Sequence, residues 1–379
     1  MAKLEVPTML IDRRGFLGAL AFTSACTARR AQIRTPGTPS ARQFARVIVS
    51  PDRVIRTVVG LRPYRPSGFV VRRESIEEKT IIHNYGHGGG GVTLSWGTAH
   101  LAVEQALPTG ARQMAVLGAG AVGLATARLL QEHGIEVTIY TKALPPDTTS
   151  NIAGAQIFPA TVFEQSRATP EFLAQFVEAA RFSYRRYQLM VGDYYGIRWR
   201  PNYTLSREPI QDGALTGDQG LLAGLMPETR DLTQREHPFP FPYVRQYDTM
   251  FIYPSHYLEA MLREFRIAGG KIVLQEMHDV REVTALSQAV IVNCTGLGAK
   301  ALFNDPELTP VKGQLTILLP QPEVDYATEP PDGLYMFPRP DGVLLGGTHE
   351  MGNWDLAPNH EAETRIVAAH TQIFRDMHV

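Results

Sequence analysis

The chain has 379 residues, a formal net charge of −1, and is 44% hydrophobic and 20% charged. This composition excludes a disordered or fibrous protein, and the balanced charge gives no electrostatic case for binding nucleic acid. Two cysteines, Cys26 and Cys294, exclude a disulfide-rich scaffold and a cysteine-based zinc cluster; no His-x-x-x-His pair or calcium loop points to a metal.

Residues 1–30 read as an export signal. Arg13 and Arg14 precede Gly15-Phe16-Leu17, and a short, mildly apolar run from Phe16 to Ala25 follows, as in a bacterial twin-arginine signal. That predicts a periplasmic or extracellular protein; read as a basic tail instead, the segment leaves the protein cytoplasmic. Cys26 offers a position for a lipid anchor to the membrane, although Thr23 stands where a leucine is usual. Residues 31–44, rich in Thr, Pro, Gly and Ser, read as a linker.

Gly60-Leu-Arg-Pro-Tyr-Arg-Pro66 places Arg62 and Arg65 among prolines. His83-Asn-Tyr-Gly-His-Gly-Gly-Gly-Gly91 followed by Val-Thr-Leu-Ser-Trp96 reads as a strand, a glycine turn and a helix over 94–107. Met114 to Leu117 is a short buried-strand run. Gly118-Ala-Gly120-Ala-Val-Gly123 follows, then a helical pattern over 124–133, a stop at Gly134 and a β-branched strand over 135–141. In that context the glycines predict a dinucleotide fold. The first permits the tight turn, the second lets backbone approach a pyrophosphate, and the third lets helix pack on strand. The carboxylate expected after the second strand, to hold a ribose, is absent; Tyr140, Thr141 and Lys142 stand there. Further on, 257–266 reads as an amphipathic helix, 271–274 as a strand, 289–296 as a buried strand ending in small residues, and 334–348 as a hairpin turning at Pro340-Asp-Gly342.

Seven of these runs jointly resemble the D-amino acid oxidase and D-aspartate oxidase family of flavoproteins. They are Gly60–Pro66, His83–Gly91, Gly118–Gly123, Thr148-Thr-Ser150, Val292-Asn-Cys-Thr-Gly296, Lys312-Gly-Gln314 and Leu345-Gly-Gly-Thr-His-Glu-Met-Gly-Asn-Trp354. The resemblance implies an α/β fold: a Rossmann-like FAD-binding domain (81–160 and 270–315) interleaved with an antiparallel-sheet substrate domain (45–80, 161–269 and 316–379). In the family the first two of these motifs close the chain, whereas here they open it. The order implies a circular permutation, joined through Pro108-Thr-Gly-Ala-Arg-Gln113.

The implied activity is FAD-dependent oxidative deamination of a D-amino acid by oxygen, giving a 2-oxo acid, ammonia and hydrogen peroxide. The resemblance carries the substrate-carboxylate anchor onto Arg62, a second carboxylate contact onto Tyr335, and a backbone carbonyl facing the substrate amine onto Gly89. The implied cofactor-binding residues are Gly118, Ala119, Gly120, Val122 and Gly123 on the dinucleotide turn, and Thr148, Thr149 and Ser150 beyond the second strand. Gly88, Gly90, Gly91 and Thr93 follow on the front glycine turn, with Gly296 and Gln314 later in the chain. His83 and His87 are expected to satisfy local hydrogen bonds, and Arg65 to be structural. Two departures stand out beside the cofactor: Lys142 replaces the family's aspartate, and Lys312 an arginine. For acidic substrates the family supplies a second cation; His349 stands at that position, and Ala160 near another family histidine. Neutral D-amino acids are therefore favoured, with a D-aspartate oxidase, a dehydrogenase using another acceptor, and a cofactor-binding protein without turnover left as alternatives. The oligomeric state is not legible.

Overall fold

The structure, a computed structural model, describes residues 42–215, 220–225 and 227–378. The twin-arginine segment, Cys26 and most of the predicted linker lie outside the described residues. In chain order the strands are β1 (Val54–Tyr64), β2 (Val70–Ile76), β3 (Lys79–Tyr85), β4 (Gln113–Leu117), β5 (Glu136–Thr141), β6 (Ile197–Ser206), β7 (Arg230–Leu232), β8 (Tyr243–Ile252), β9 (Lys271–Leu274), β10 (Val290–Asn293), β11 (Thr309–Leu318), β12 (Ala327–Glu329), β13 (Tyr335–Arg339), β14 (Gly342–Gly346) and β15 (Glu350–Met351). The helices are α1 (Gly91–Ala106), α2 (Ala121–Glu132), α3 (Pro170–Leu189), α4 (Pro254–Ile267), α5 (Val280–Thr284), α6 (Ala299–Leu302) and α7 (His360–Arg375).

Six strands form one sheet in the order β2-β3-β10-β4-β5-β9. All pairs are parallel except β2 with β3. Met114 and Val116 face one side, where Leu94, Trp96, Leu124 and Phe176 complete the core; Ala115 and Leu117 face the other, against Ile81, Val283 and Ile291. Burial on both faces is why these strands read as unbroken apolar runs rather than alternating ones. Both glycine turns pass directly into helix: α1 begins at Gly91 and α2 at Ala121, each three residues ahead of the sequence expectation. The helix expected over 257–266 likewise begins earlier, at Pro254, whose fixed φ suits a first helical turn. The structure adds α3, which the sequence reading did not contain. Its start carries a legible signal: Thr169 caps it, accepting from the Phe172 N–H at 3.2 Å, and Pro170 follows.

The second sheet has nine strands in the order β1-β11-β14-β13-β12-β6-β8-β7, with β15 paired to β11 off this path. The predicted hairpin is β13–β14. One face packs on α7 and residues 44–49 through Leu345, Met336, Ile366 and Phe374. The opposite face, with Leu315, Ala327, Phe337 and Leu344, looks toward the cavity described below. Arg62 lies in β1 itself rather than in a proline-rich loop. β1 is an edge strand, where Pro63 costs no ladder bond that a neighbour needs. The sheets do not follow the segment boundaries read from the sequence. Val70–Ile76 join the parallel sheet because they form a hairpin with β3. Thr309–Leu318 runs unbroken across position 315 as a strand of the antiparallel sheet.

Candidate active site

A cavity of about 2010 Å³ lies over the carboxyl ends of β3, β4 and β10 and reaches the free face of the antiparallel sheet. Drug-sized ligands occupy pockets of about 300–1,000 Å³, so this one has room for a dinucleotide together with a small substrate.

At the dinucleotide turn, Gly118 has φ +100°, and a Cβ there would lie 2.6 Å from the Cys294 carbonyl oxygen. Its N–H donates to the Tyr140 carbonyl at 2.8 Å, which ties the turn to β5. Gly118, Ala119, Gly120 and Val122 line the cavity, and the first turn of α2 starts there. Helix N-terminal N–H groups lack intrahelical acceptors and attract phosphate. One of them, on Ala121, already donates to Ser150 Oγ at 2.9 Å. Thr148, Thr149 and Ser150 line the same wall, as do Gly88, Gly91, Thr93 and Gly296 on the facing turns. The Thr93 hydroxyl also donates to the carbonyls of Gln156 and Phe158, fixing that segment over α1. These glycine-lined walls and the start of α2 fit an FAD.

Three of the expected cofactor residues stand elsewhere. Gly123 packs against the turn, where a Cβ would come within 2.1 Å of the Gly118 carbonyl oxygen; this is the helix–strand contact expected of a third glycine. Gly90 is buried against Val162. Gln314 faces away because strand residues alternate: Gly313 and Leu315 line the cavity, and Gln314 points to the other side. There its amide accepts from the Asn359 N–H at 2.6 Å and donates to the Asn359 carbonyl at 2.9 Å. Lys312 shares that side, donates to the Ala357 carbonyl at 2.8 Å and does not line the cavity either.

At the end of the cavity beyond β5, Lys142 lines the wall and pairs with Glu276 at 3.2 Å. Glu276 also lines it, just past β9. A carboxylate therefore stands at this end after all, delivered by the neighbouring strand rather than by β5.

The other end of the cavity is built on the free face of the antiparallel sheet. Residues paired across strands share a face, and Gly60 pairs with Gly313 while Tyr335 pairs with Gly346. The Arg62 guanidinium lies flat over Gly313, 2.7 Å from where a Cβ would stand. The Tyr335 ring lies over Gly346 in the same way, with Cζ 1.9 Å from that position. Two bare glycines thus give two large side chains room to lie on the sheet and bring their polar tips together. Both glycines lie within runs already noted, Lys312–Gln314 and Leu345–Trp354, but no local sequence signal marks this task. Arg62 Nη1 is buried with no hydrogen-bond partner among the described residues, an arrangement costly unless something else accepts from it. Burial raises the Tyr335 phenol, and the nearby Arg62 guanidinium opposes that shift. Burial first, and the Arg62 charge second, hold the His349 imidazole below its ordinary pKa. Both effects disfavour the charged imidazole that an acidic side chain would need as a second cation.

Gly89 stands on the cavity wall, pressed to residues 160–161, where a Cβ would meet Thr161 Oγ1 at 2.3 Å. Both histidines of the glycine run are held locally. His87 Nε2 meets Thr98 Oγ1 at 2.9 Å, and burial takes its pKa down to about 3. His83 sits between Glu74 and Asn293, each at 3.1 Å. Arg65 is committed to ion pairs with Asp305 and Glu307 at 2.8 and 2.7 Å.

A sequence model of the family described as FAD dependent oxidoreductase matches residues 24–105 and 113–378. The chain is similar to a D-amino-acid oxidase of Streptomyces coelicolor, 31% identical over 266 residues, covering 67% of this chain and 75% of that protein. It is similar to the D-aspartate oxidase of Homo sapiens at 28% over 269 residues, covering 68% and 74%. Among solved structures it shares the fold of a glycine oxidase from Geobacillus kaustophilus, with a TM-score of 0.53 and 17% identity over 70% of this chain and 79% of that one. It also shares the fold of an L-alpha-glycerophosphate oxidase from Mycoplasma pneumoniae with FAD bound, at TM-score 0.51 and 15% identity over 71% and 79%.

Proposed function

The chain belongs to the FAD-dependent oxidoreductase family, and from that premise we propose that it oxidises D-amino acids to 2-oxo acids with release of ammonia and hydrogen peroxide. One observation carries the reading: the buried, unpartnered Arg62 nitrogen beside the Tyr335 hydroxyl, at the substrate end of an FAD-sized cleft. A guanidinium offers a planar, permanently charged fork that matches a carboxylate. Arg62 and Tyr335 hold the substrate carboxylate on the sheet face, and the Gly89 carbonyl takes the amine, so the Cα–H is presented to the cofactor. When bound, FAD supplies the two-electron oxidation and the return of those electrons to oxygen. Water then hydrolyses the released imino acid.

The purified protein is expected to be yellow, to bleach anaerobically with D-alanine or D-methionine but not with L-alanine, and to release peroxide in air. Bleaching without peroxide would make it a dehydrogenase, bleaching by D-aspartate alone would make it the acidic enzyme, and colour unchanged by every D-amino acid would sink the reading.

We read the motif order as a circular permutation of the family chain. Three features support this. The break in the family match, between residues 105 and 113, falls on the joint between α1 and β4. The strands that flank this joint, β3 and β4, lie either side of β10. Residues 44–49 also pack beside the end of α7, where the Arg46 guanidinium donates to the Met377 carbonyl at 2.7 Å. A chain reordered to begin at Gln113, with Met377 linked to Phe44, is expected to bind FAD; failure of the soluble reordered protein to take up flavin would count against this.

A further inference from the structure

Tyr335 has a neighbour on the cavity face that the reading above leaves unused. β12 lies beside β13 with Thr328 paired to Met336, so the antiparallel register sets Glu329 across from Tyr335 on the same face. Glu329 lines the cavity together with Tyr335 and Arg62. In strand order the face reads Arg62 on β1, Gly313 on β11, Gly346 on β14, Tyr335 on β13 and Glu329 on β12. A cation thus stands at one end of the substrate floor and a carboxyl group at the other, with glycines and a phenol between.

Glu329 has no ion pair among the described residues. Its Oε2 accepts two long hydrogen bonds from neutral hydroxyls, Tyr247 at 3.3 Å and Thr204 at 3.4 Å, and the neutral amides of Asn202 and Gln156 also stand beside the carboxyl group. Burial raises the pKa of its carboxyl group. A partly buried carboxyl without a counter-ion is costly unless a cation arrives to pair with it. On the reading above the α-amino group is taken by the Gly89 carbonyl, so it does not serve as the partner of Glu329.

We propose that Glu329 recognises a cationic side chain, so that the site selects basic D-amino acids such as D-lysine, D-ornithine and D-arginine. This rests on the D-amino acid oxidase reading. With the substrate carboxylate on Arg62, a long side chain runs along the sheet face over Tyr335 and ends at Glu329. The same carboxylate disfavours acidic side chains at that end of the floor.

The test is the ratio of kcat/KM for D-lysine to that for D-norleucine, a neutral chain of similar length, measured on the FAD-loaded enzyme by flavin bleaching. The wild-type ratio is expected to exceed one. Glu329→Gln keeps the shape and the hydroxyl partners and is expected to lower the ratio at least about tenfold, the scale for removing one partner of a buried charge pair. Glu329→Asp is expected to restore part of it. A wild-type preference for D-norleucine, or a Glu329→Gln ratio within about threefold of wild type, would overturn the proposal. An equal fall for both substrates would overturn it as well, since the carboxyl would then serve the fold or the shared amine. The two readings fail separately: bleaching by D-norleucine without a D-lysine preference sinks only this one, whereas no bleaching by any D-amino acid sinks both.

Discussion

Arg62→Ala is expected to leave a yellow protein that D-amino acids no longer bleach. Each charge-assisted hydrogen bond from the guanidinium to the substrate carboxylate contributes about 1.5–3 kcal/mol. Losing a bidentate pair therefore costs about 3–6 kcal/mol, a fall on the order of 10²–10⁴ in the second-order rate of anaerobic flavin reduction. FAD content should stay near wild type, because the dinucleotide turn lies on the other sheet. Arg62→Lys separates charge from geometry. A lysine keeps the positive charge but not the fork, and its tip is not held flat over Gly313. It should recover only part of the loss. Reduction rates for Arg62→Ala within about threefold of wild type would show that the substrate carboxylate is anchored elsewhere.

Legibility followed distance along the chain. The unit from Met114 to Thr141 was readable because strand, turn, helix and strand are contiguous there, and the turn glycines act on atoms a few residues away. The strand Lys271–Leu274 was equally plain, since its β-branched run follows directly on two glycines. Arg62 and Tyr335 became visible only through resemblance; nothing local tells an arginine before a proline that it will lie on Gly313, some 250 residues later. Gln314 and Lys312 failed for a related reason. Which face a strand residue takes is decided by register with β1 and β14, and a one-residue difference reverses it. Glu329 was silent because it needs three pairings to be seen, β12 with β13, β13 with β14 and β12 with β6. The missing carboxylate after β5 was a true absence in sequence, yet Glu276 reaches the same end of the cavity from β9.

The dinucleotide turn allows two kinds of glycine to be separated, and Gly123→Ala should be far more damaging to the protein itself than Gly120→Ala. A Cβ on residue 123 would stand 2.1 Å from the Gly118 carbonyl oxygen and 2.9 Å from its carbon. Both are backbone atoms, and Gly118 is pinned by its bond to Tyr140 and by contact with Cys294. Helix and strand must move apart, at a cost of about 1–3 kcal/mol or more for an overpacked site. The FAD-free protein should therefore lose several degrees of thermal stability, and FAD affinity should fall with it as the start of α2 leaves the pyrophosphate. At residue 120 the contact is a single serine hydroxyl, Ser150 Oγ, 3.1 Å from the added carbon, and it can yield by a few tenths of an ångström. Gly120→Ala should leave the FAD-free melting temperature close to wild type. It should still weaken FAD binding, by about tenfold or more, because the added methyl occupies the path by which backbone approaches the phosphates. Melting curves without FAD and flavin titrations by fluorescence quenching separate the two. Equal melting temperatures for both variants would mean that the packing at residue 123 tolerates a methyl group, and undiminished FAD affinity in Gly120→Ala would mean that the cofactor is not held on this turn.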